Sequence, residues 1–286
     1  MSYNCLQRND PDYLMSFHAW KGEKRRRAIN STDLQMRLDI NKKCQSKDFQ
    51  AWVRKRLAVR TGEQILDVGC GTGAQTLFMA EDAGESGRIT SFDISKESIE
   101  SLKASLHPEN AHKVSAYALD MAEIDSFLEK DSPNKKFTLA QSSYALYYSP
   151  KRIEVLSMMQ RRTKPYGRVA VFTPCAPHGM IEFASKHHAI SEQVTDSLHF
   201  GDNILRPLFR KCFSEVELHY FQSSLIIKSE LDFRTFYEAT TYYDEQASDE
   251  VCNEANKIIA KNGFLEFEKC GVLLIGSGVN ALANEF

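Results

Sequence analysis

The chain has 286 residues, of which 42% are hydrophobic and 26% are charged, a composition typical of a globular protein. Its net charge of −2 excludes the strong positive field of a general nucleic-acid or membrane-surface binder. No window approaches the roughly 18 consecutive apolar residues of a membrane span, so no membrane partner is expected. The seven cysteines are scattered without a CxxC pair, which indicates reduced thiols in a cytoplasmic protein and no metal site.

The charge is distributed unevenly along the chain. Residues 1–62 contain fourteen Lys and Arg against six Asp and Glu, whereas residues 230–286 contain four against eleven. Two interpretations stay open at this point. The asymmetry is typical of two solvated faces, and it also fits a basic entrance for an acidic substrate.

The first 60 residues are polar and basic, with aromatic side chains such as Tyr13 and Trp20 at intervals. Between residues 33 and 57 the apolar positions fall mostly at helical spacing. The pattern predicts an irregular start followed by one or two helices. We interpret residues 1–60 as an N-terminal helical segment that precedes the main domain.

From residue 61 onward, short apolar runs alternate with amphipathic stretches. The strands predicted from these runs are 64–69, 88–93, 113–120, 136–143 and 168–174. Alternation of strands and helices predicts parallel strands joined by right-handed crossovers, with ligands bound at the carboxyl ends of the strands.

The pattern becomes less regular after the fifth predicted strand. Residues 177–211 and 231–262 are predicted to be largely helical, and they separate two further strands at 214–229 and 268–278. We interpret residues 61–286 as one domain of the α/β class that carries these two helical insertions.

Residues 65–73 read ILDVGCGTG, so the first predicted strand ends in a turn with glycine at every second position. Glycine allows positive φ and close approach of a ligand to the backbone, and the helix that follows directs its N-terminus at that ligand. Two cofactor classes use this geometry. Gly69, Gly71 and Ala74 satisfy the dinucleotide pattern G-x-G-x-x-A, with Asp93 about 20 residues further on.

The same stretch also resembles motif I of the class I S-adenosylmethionine (SAM) dependent methyltransferases, which has an acid before three alternating glycines. An acid near this turn suits the ammonium group of SAM and would oppose the diphosphate of a dinucleotide. The resemblance continues with Asp93 at the end of the second predicted strand, Asp120 at the end of the third, and QSSYAL (141–146) after the fourth.

This resemblance implies a doubly wound, mostly parallel seven-stranded sheet with helices on both faces, a helical N-terminal lid and a helical cover over the strand ends. It also implies that Asp67 lies near the cofactor's ammonium group, that the glycines flank its homocysteine part, and that Asp93 binds both ribose hydroxyls. In the same way it implies that Asp120 meets the adenine amino group and that the backbone N–H of Met121 meets a ring nitrogen. The full cofactor-binding set that the resemblance implies is Asp67, Gly69, Cys70, Gly71, Gly73, Asp93, Ile94, Asp120, Met121, Gln141 and Ser142.

Methyl transfer from a sulfonium is an in-line displacement, for which proximity and alignment supply much of the catalysis. A general base is needed only if the nucleophile must lose a proton before or during attack. The candidates for such a group are His178, expected just past the fifth strand, and Tyr147 after the fourth. The residues expected to contact the acceptor are Tyr144, Tyr148 and Glu182, together with Tyr13 and Trp20 from the N-terminal lid. Glu182 is included because it lies one helical turn beyond His178, so that the two are expected to share a helical face.

The acceptor class follows from what the sequence lacks. No nucleic-acid-binding module is recognisable, and the fourth strand ends in QSSY instead of the D/N-P-P-Y/F motif of many enzymes that methylate exocyclic or amide nitrogens. We therefore predict a small-molecule acceptor and no nucleic-acid partner. An RNA or protein methyltransferase and a non-catalytic SAM-binding protein stay as alternatives, and the sequence determines neither the acceptor atom (O, N or C) nor the oligomeric state.

Overall fold

The computed structural model describes residues 22–279. Seven strands form one sheet in the order β3-β2-β1-β4-β5-β7-β6. They are β1 (Gln64–Val68), β2 (Arg88–Asp93), β3 (Val114–Ala118), β4 (Phe137–Ser143), β5 (Thr163–His178), β6 (Phe213–Ile227) and β7 (Leu265–Val279). Strands β1 to β5 run parallel to one another, whereas β7 lies antiparallel between β5 and β6.

Helices cover both faces of this sheet, and three of those described come before β1 in the chain. They are α1 (Gly22–Ile29), α2 (Ser31–Cys44), α3 (Phe49–Leu57), α4 (Ala74–Asp82), α5 (Lys96–Ser105), α6 (Pro108–Ala111), α7 (Ile124–Asp131), α8 (Arg152–Arg161), α9 (Gly179–Ala184), α10 (Glu192–Phe200), α11 (Arg206–Cys212), α12 (Glu230–Glu238) and α13 (Ser248–Asn262). Short 3₁₀ turns span Met121–Glu123 and Leu146–Tyr148, and a π-helical turn spans Gly201–Leu205. The predicted doubly wound α/β fold is confirmed.

The central strands are apolar because both of their faces are covered, as is usual for parallel sheets. On one face, Val53 of α3 and Met79 of α4 pack with Ile65 and Leu139 in one core cluster. On the other face, a larger core cluster joins the remaining strand residues to the helices from α8 to α13. The regions predicted as helical insertions contain α9 to α11 and α12 to α13.

The N-terminal helices are tied to the far edge of the sheet. Asn30 caps α2 by accepting a hydrogen bond from the backbone N–H of Asp33, and Asp48 caps α3 in the same way with Ala51. Between these helices, the backbone N–H of Ser46 donates a 2.8 Å hydrogen bond to the carbonyl of Ser224 on β6. Helix α2 is therefore held beside β6 and β7, above the carboxyl end of the parallel strands.

Two strand ends differ from the sequence prediction. Strand β3 stops at Ala118, so Asp120 does not end it; the Asp120 carboxylate instead accepts a 3.0 Å hydrogen bond from the N–H of Ala122 and starts a 3₁₀ turn. Strand β5 continues to His178, which pairs with Lys269 of β7 across an irregularity in the ladder. His178 is therefore the last residue of a strand and not part of a loop beyond it, because the antiparallel partner β7 extends the pairing.

Candidate functional site

The turn after β1 has the backbone geometry that its glycines predict. Gly69, Gly71 and Gly73 all have positive φ, of 74°, 54° and 90°. The N–H groups of Gly69 and Cys70 both donate to the carbonyl of Phe92 on β2, at 2.7 and 3.0 Å. The turn is thereby fixed against the neighbouring strand and leads directly into α4.

Close packing leaves no room for larger residues at this turn. A Cβ atom at Gly69 would lie 2.3 Å from the Cβ of Ala145, and one at Gly73 would lie 2.2 Å from Leu102. A Cβ at Gly71 would lie 2.9 Å from Cδ2 of Leu34 on α2. Three separate elements thus close around the turn, and α2 covers it from the N-terminal side.

A cavity of ≈ 890 Å³ opens at this turn and extends along the carboxyl ends of the strands. This volume is near the upper end of the roughly 300–1,000 Å³ typical of ligand pockets. Helix α2, the segments after β2, β3 and β4, and the helices that follow β5 and β6 all contribute to its walls. The predicted site residues that line it are Gly69, Cys70, Gly71, Asp93, Ile94, Asp120, Met121, Tyr144, Tyr147, Tyr148 and His178.

Asp93 links the turn after β1 to the end of β2. One carboxylate oxygen accepts a 2.8 Å hydrogen bond from the N–H of Gly71, and the other accepts a 2.9 Å bond from the N–H of Ser95. Burial raises the pKa of Asp93, while these two hydrogen bonds oppose the rise. A carboxylate has about four lone-pair positions, so each oxygen keeps capacity for a ligand hydroxyl.

Five of the predicted site residues within residues 22–279 do not line the cavity: Asp67, Gly73, Gln141, Ser142 and Glu182. Asp67 is completely buried under the glycine turn, where it accepts a 2.5 Å hydrogen bond from the hydroxyl of Thr76 and another from the side-chain amide of Gln141. Burial raises the pKa of Asp67 to about 7, against these two hydrogen bonds. Asp67 therefore does not touch a ligand in the cavity directly, and any influence on the ligand is transmitted by the residues around it.

Glu182 requires a correction. The expectation that Glu182 shares a helical face with His178 assumes one helix through both positions. In the structure His178 ends β5 and α9 begins only at Gly179, so the four-residue spacing does not bring the two side chains together. Glu182 is exposed, whereas its neighbour Ile181 lines the cavity. The structure therefore does not place Glu182 at the acceptor site, and Tyr13 and Trp20 lie outside the described residues.

The segment after β4 brings three tyrosines to the cavity wall. Tyr144 adopts a positive φ of 54°, which is unusual for a residue with a side chain, and its ring packs 4.7 Å from that of Phe172. The rings of Tyr147 and Tyr148 lie 4.4 Å apart. Burial raises the pKa of both Tyr144 and Tyr147 well above the usual value, so both phenols stay protonated at neutral pH.

His178 is the last residue of β5 and lines the cavity. Its Nδ1 atom is buried and has no hydrogen-bond partner within residues 22–279, and its ring lies 6.1 Å from that of Tyr242. Burial, reinforced by the positive charge of Lys269, lowers the pKa of His178 to about 3. The imidazole is therefore neutral at physiological pH.

Sequence reasoning missed the four cations that line the cavity, which are Arg37, Lys42, Lys47 and Lys269. Lys42 and Lys47 are exposed, whereas Arg37 on α2 and Lys269 on β7 are half-buried. Two signals were present. Arg37 follows the cavity-lining Leu34 by three residues, which places both on one helical face, and Lys269 continues the inward alternation of the buried residues Leu265 and Phe267 along β7. Neither spacing by itself predicts a cavity residue, because charged side chains usually lie on the solvated face of a helix or strand.

Within residues 22–279, no three His, Cys, Asp or Glu side chains are grouped so that they could hold a metal ion. In the same range, none of the helices combines the length and the apolar character needed to cross a membrane.

Comparison with known proteins gives the following similarities. A family model described as a methyltransferase domain matches residues 60–211. The demethylmenaquinone methyltransferase of Lactococcus lactis is 34% identical over 129 residues, which cover 45% of this chain and 49% of that protein. The aklanonic acid methyltransferase of a Streptomyces strain is 29% identical over 123 residues, which cover 43% of this chain and 53% of that protein. The matches thus span about half the length of these curated relatives.

Solved structures share the fold at low sequence identity. The YcgJ protein from Bacillus subtilis superimposes with a TM-score of 0.52 at 14% identity, over 81% of this chain and 98% of that one. A proposed methyltransferase from Bacillus halodurans gives a TM-score of 0.53 at 16% identity, over 79% of this chain and 97% of that one. At such identities the likeness concerns the fold alone.

Proposed function

Because the chain belongs to the methyltransferase-domain family of class I SAM-dependent proteins, with SAM as its cofactor, we propose that it transfers the methyl group of SAM to a small-molecule acceptor. The observation that carries this proposal is a single cavity of ≈ 890 Å³ that runs from the glycine turn and Asp93 to the tyrosines after β4. One volume thus contains both the family's cofactor segment and an aromatic wall for an acceptor.

The residues at the glycine turn fit the cofactor. Each oxygen of Asp93 accepts only one backbone hydrogen bond and keeps capacity for the two ribose hydroxyls. Ile94 is partly exposed beside Asp93, where its side chain offers an apolar surface to the adenine, and Met121 lies near the turn with its Cε 3.6 Å from a Cβ built at Gly69. When bound, SAM supplies a methyl group on a sulfonium leaving group.

The protein contributes to this reaction by aligning the acceptor with the methyl group and by excluding water. Helix α2 covers the glycine turn through Leu34, and the helices after β5 and β6 form further walls of the cavity. Holding an acceptor in line with the methyl group converts a bimolecular encounter into an intramolecular step. We infer that this geometric effect is the main catalytic contribution of the chain.

His178 and Tyr147 stay candidates for contact with the acceptor. Burial keeps the imidazole of His178 neutral, with a pKa of about 3, so it can accept a hydrogen bond from an acceptor hydroxyl but is a weak proton acceptor. Tyr147 is protonated, because burial raises its pKa well above the usual value, and can donate a hydrogen bond. We propose positioning of the acceptor for both, with no strong general base.

A small acceptor is supported by the volume of the cavity, ≈ 890 Å³, and by the relatives, which are named for demethylmenaquinone and for aklanonic acid. No nucleic-acid or membrane partner is part of the proposal. We also propose a reducing, cytoplasmic compartment, because the cysteines are scattered along the sequence without a CxxC pair.

The test uses SAM labelled on its methyl group, incubated with the protein and an extract of its own organism. The extract is separated into small-molecule and macromolecular fractions after the reaction, and extract incubated with labelled SAM but without the protein serves as the blank. Label in the small-molecule fraction that is absent from the blank is the expected result. Label confined to RNA or protein would contradict the acceptor class, and tight cofactor binding without any transfer would contradict the enzymatic proposal.

A further inference from the structure

Arg37 and Lys269, which we call the cation pair, face the cavity from two different elements. Lys269 on β7 donates a 2.9 Å hydrogen bond from Nζ to Oδ1 of Asn41 on α2. Asn41 follows Arg37 by one helical turn, so both side chains lie on the same face of α2. The hydrogen bond therefore brings the ammonium group of Lys269 beside the helix face that carries the guanidinium of Arg37.

Neither member of the cation pair has an anionic partner within residues 22–279. Arg37 donates a 2.5 Å hydrogen bond from Nη1 to the carbonyl of Ala239, and Lys269 bonds to a neutral amide. The carboxylates that line the cavity are Asp39, Asp48, Asp93 and Asp120. Asp39 accepts from the side chain of Gln35, and the other three accept backbone N–H groups near the ends of helices or turns.

Two adjacent cations without a counterion are electrostatically unfavourable away from bulk water. Burial, together with the charge of Arg37, lowers the pKa of Lys269 to about 8. Both side chains are only half-buried, so the arrangement is tolerated without a ligand. An anion between the two groups would remove the repulsion and use donors that no carboxylate of the described chain occupies.

The surroundings of the cation pair are aromatic and apolar. Arg37 lies close enough to Tyr147 and Tyr242 for its charge to lower their pKa, which burial otherwise raises. Tyr242 also packs against the ring of His178, with 6.1 Å between ring centroids. The other lining residues in this part of the cavity include Ile181, Val194, Leu198 and Phe236. These walls suit a planar apolar body.

We propose that the acceptor is a planar, aromatic-type molecule that carries an anionic oxygen group, either a carboxylate or an ionised hydroxyl, and that Arg37 and Lys269 bind this group. The proposal rests on the proposed function, because it concerns the acceptor of the same site. Arg37 offers several N–H donors in one plane and Lys269 offers a mobile ammonium, a combination suited to an oxyanion.

The experiment measures binding of matched pairs of probes by calorimetry, with and without S-adenosylhomocysteine. The carboxylate arm compares 2-naphthoate with 2-naphthamide, and the ionised-hydroxyl arm compares 4-nitrophenol with 4-nitroanisole at pH 8. We expect the charged member of at least one pair to bind about tenfold or more tightly than its neutral counterpart, since buried charge-assisted hydrogen bonds are the strong ones. The arm that shows the preference identifies the oxygen group.

Lys269→Met removes one charge and keeps the length of the side chain, and it is expected to reduce the preference to less than about threefold. Lys103→Met is the matched control, because Lys103 is exposed on α5 and does not line the cavity; its preference should equal that of the unmodified protein. Arg37→Met provides a second, independent loss of charge, and thermal unfolding verifies that each variant is folded.

Equal affinity for the charged and neutral members of both pairs would overturn the proposal, as would a preference that survives both Lys269→Met and Arg37→Met. Failure of every probe to bind, while S-adenosylhomocysteine binds normally, also counts against it. The proposed function fails separately, by loss of S-adenosylhomocysteine binding or of methyl transfer, and neither of those results depends on the charge of the probe.

Discussion

The carboxylate of Asp93 at the end of β2 accepts a 2.8 Å hydrogen bond from the backbone N–H of Gly71 in the turn after β1. The contact joins the two segments that the family resemblance assigns to the ribose and to the homocysteine part of the cofactor. Because Asp93 shapes the turn and also faces the cavity, one side chain couples the conformation of the glycine turn to ligand contact. Loss of Asp93 therefore affects both.

Asp93→Ala is expected to weaken S-adenosylhomocysteine binding by about 1.5–3 kcal/mol for each lost charged hydrogen bond. The side chain would no longer offer its two oxygens to the ribose, and the N–H of Gly71 would lose its acceptor. Calorimetry of the unmodified and variant proteins measures the difference. Glu100→Gln on the exposed surface of α5 is the control, with unchanged affinity expected; equal affinity in Asp93→Ala would show that another acid holds the ribose.

The glycine turn allows a test that separates backbone conformation from steric clash. Gly69 has a φ of 74°, and a Cβ there would lie 2.3 Å from Ala145, whereas Gly263 has a φ of 83° with nothing within 4 Å of a Cβ. Gly263→Ala is expected to destabilise the protein by roughly 1–2 kcal/mol from the left-handed backbone alone. Gly69→Ala should exceed that value, because Ala145 must also move.

Urea unfolding of both variants measures the two losses, and S-adenosylhomocysteine binding is measured alongside. We expect Gly263→Ala to bind with unchanged affinity, since Gly263 follows α13 and does not line the cavity. Similar losses of stability in the two variants would mean that the segment at Ala145 moves freely, and the packing argument for the turn would then be wrong.

The fold and the cofactor segment were largely predictable because each depends on local patterns. Apolar runs, a turn rich in glycine and an acid at the end of β2 are all visible within a few residues, and the alternation of strands and helices predicts parallel strands joined by right-handed crossovers. Contacts between residues on different helices and strands were not predictable in this way. Glu182 failed because the helix was assumed to include His178, and the cation pair was missed because Arg37 and Lys269 are 232 positions apart in the sequence.

Asp67 should make stability depend on pH. Its pKa is raised by burial from 3.8 to about 7, so the folded protein holds a proton that the unfolded chain has released between these values. Stability is therefore expected to fall as the pH rises from about 4 to 7. Asp67→Asn keeps the shape and lacks the titration. The unmodified protein should lose at least about 1.4 kcal/mol relative to this variant between pH 4.5 and 7.5, the equivalent of one pKa unit.

Unfolding by urea across this pH range measures the effect. Asp125→Asn is the control of opposite kind: burial acts to raise the pKa of Asp125, but the hydrogen bonds and charges of Arg162 and Arg161 hold it below the usual value. Its stabilising effect is complete above the unfolded pKa, so no loss is expected between pH 4.5 and 7.5. A flat difference between the unmodified protein and Asp67→Asn would mean that Asp67 is ionised when folded.

The hydrogen bond between Lys269 and Asn41 gives a final test through substitution of the neutral partner. Asn41→Asp places a carboxylate at the position of an amide that lies 2.9 Å from the Nζ of Lys269. An opposite charge at this distance favours the charged ammonium, so the pKa of Lys269 is expected to rise from about 8 toward its usual value. The new ion pair should also reduce the preference for anionic probes, because the carboxylate cancels one of the two positive charges of the cation pair.

Asn41→Leu separates the charge from the hydrogen bond, since it removes the acceptor without supplying an anion. We expect Asn41→Leu to keep the preference for 2-naphthoate or 4-nitrophenol and to leave the pKa of Lys269 low. Carbon-13 methylation of the lysines followed by an NMR titration measures the pKa in each variant, with Lys269→Met used to assign the signal. If Asn41→Asp kept the full preference for the anionic probes, those probes would be bound elsewhere in the cavity, because the new carboxylate lowers the charge of the cation pair from two positive charges to one.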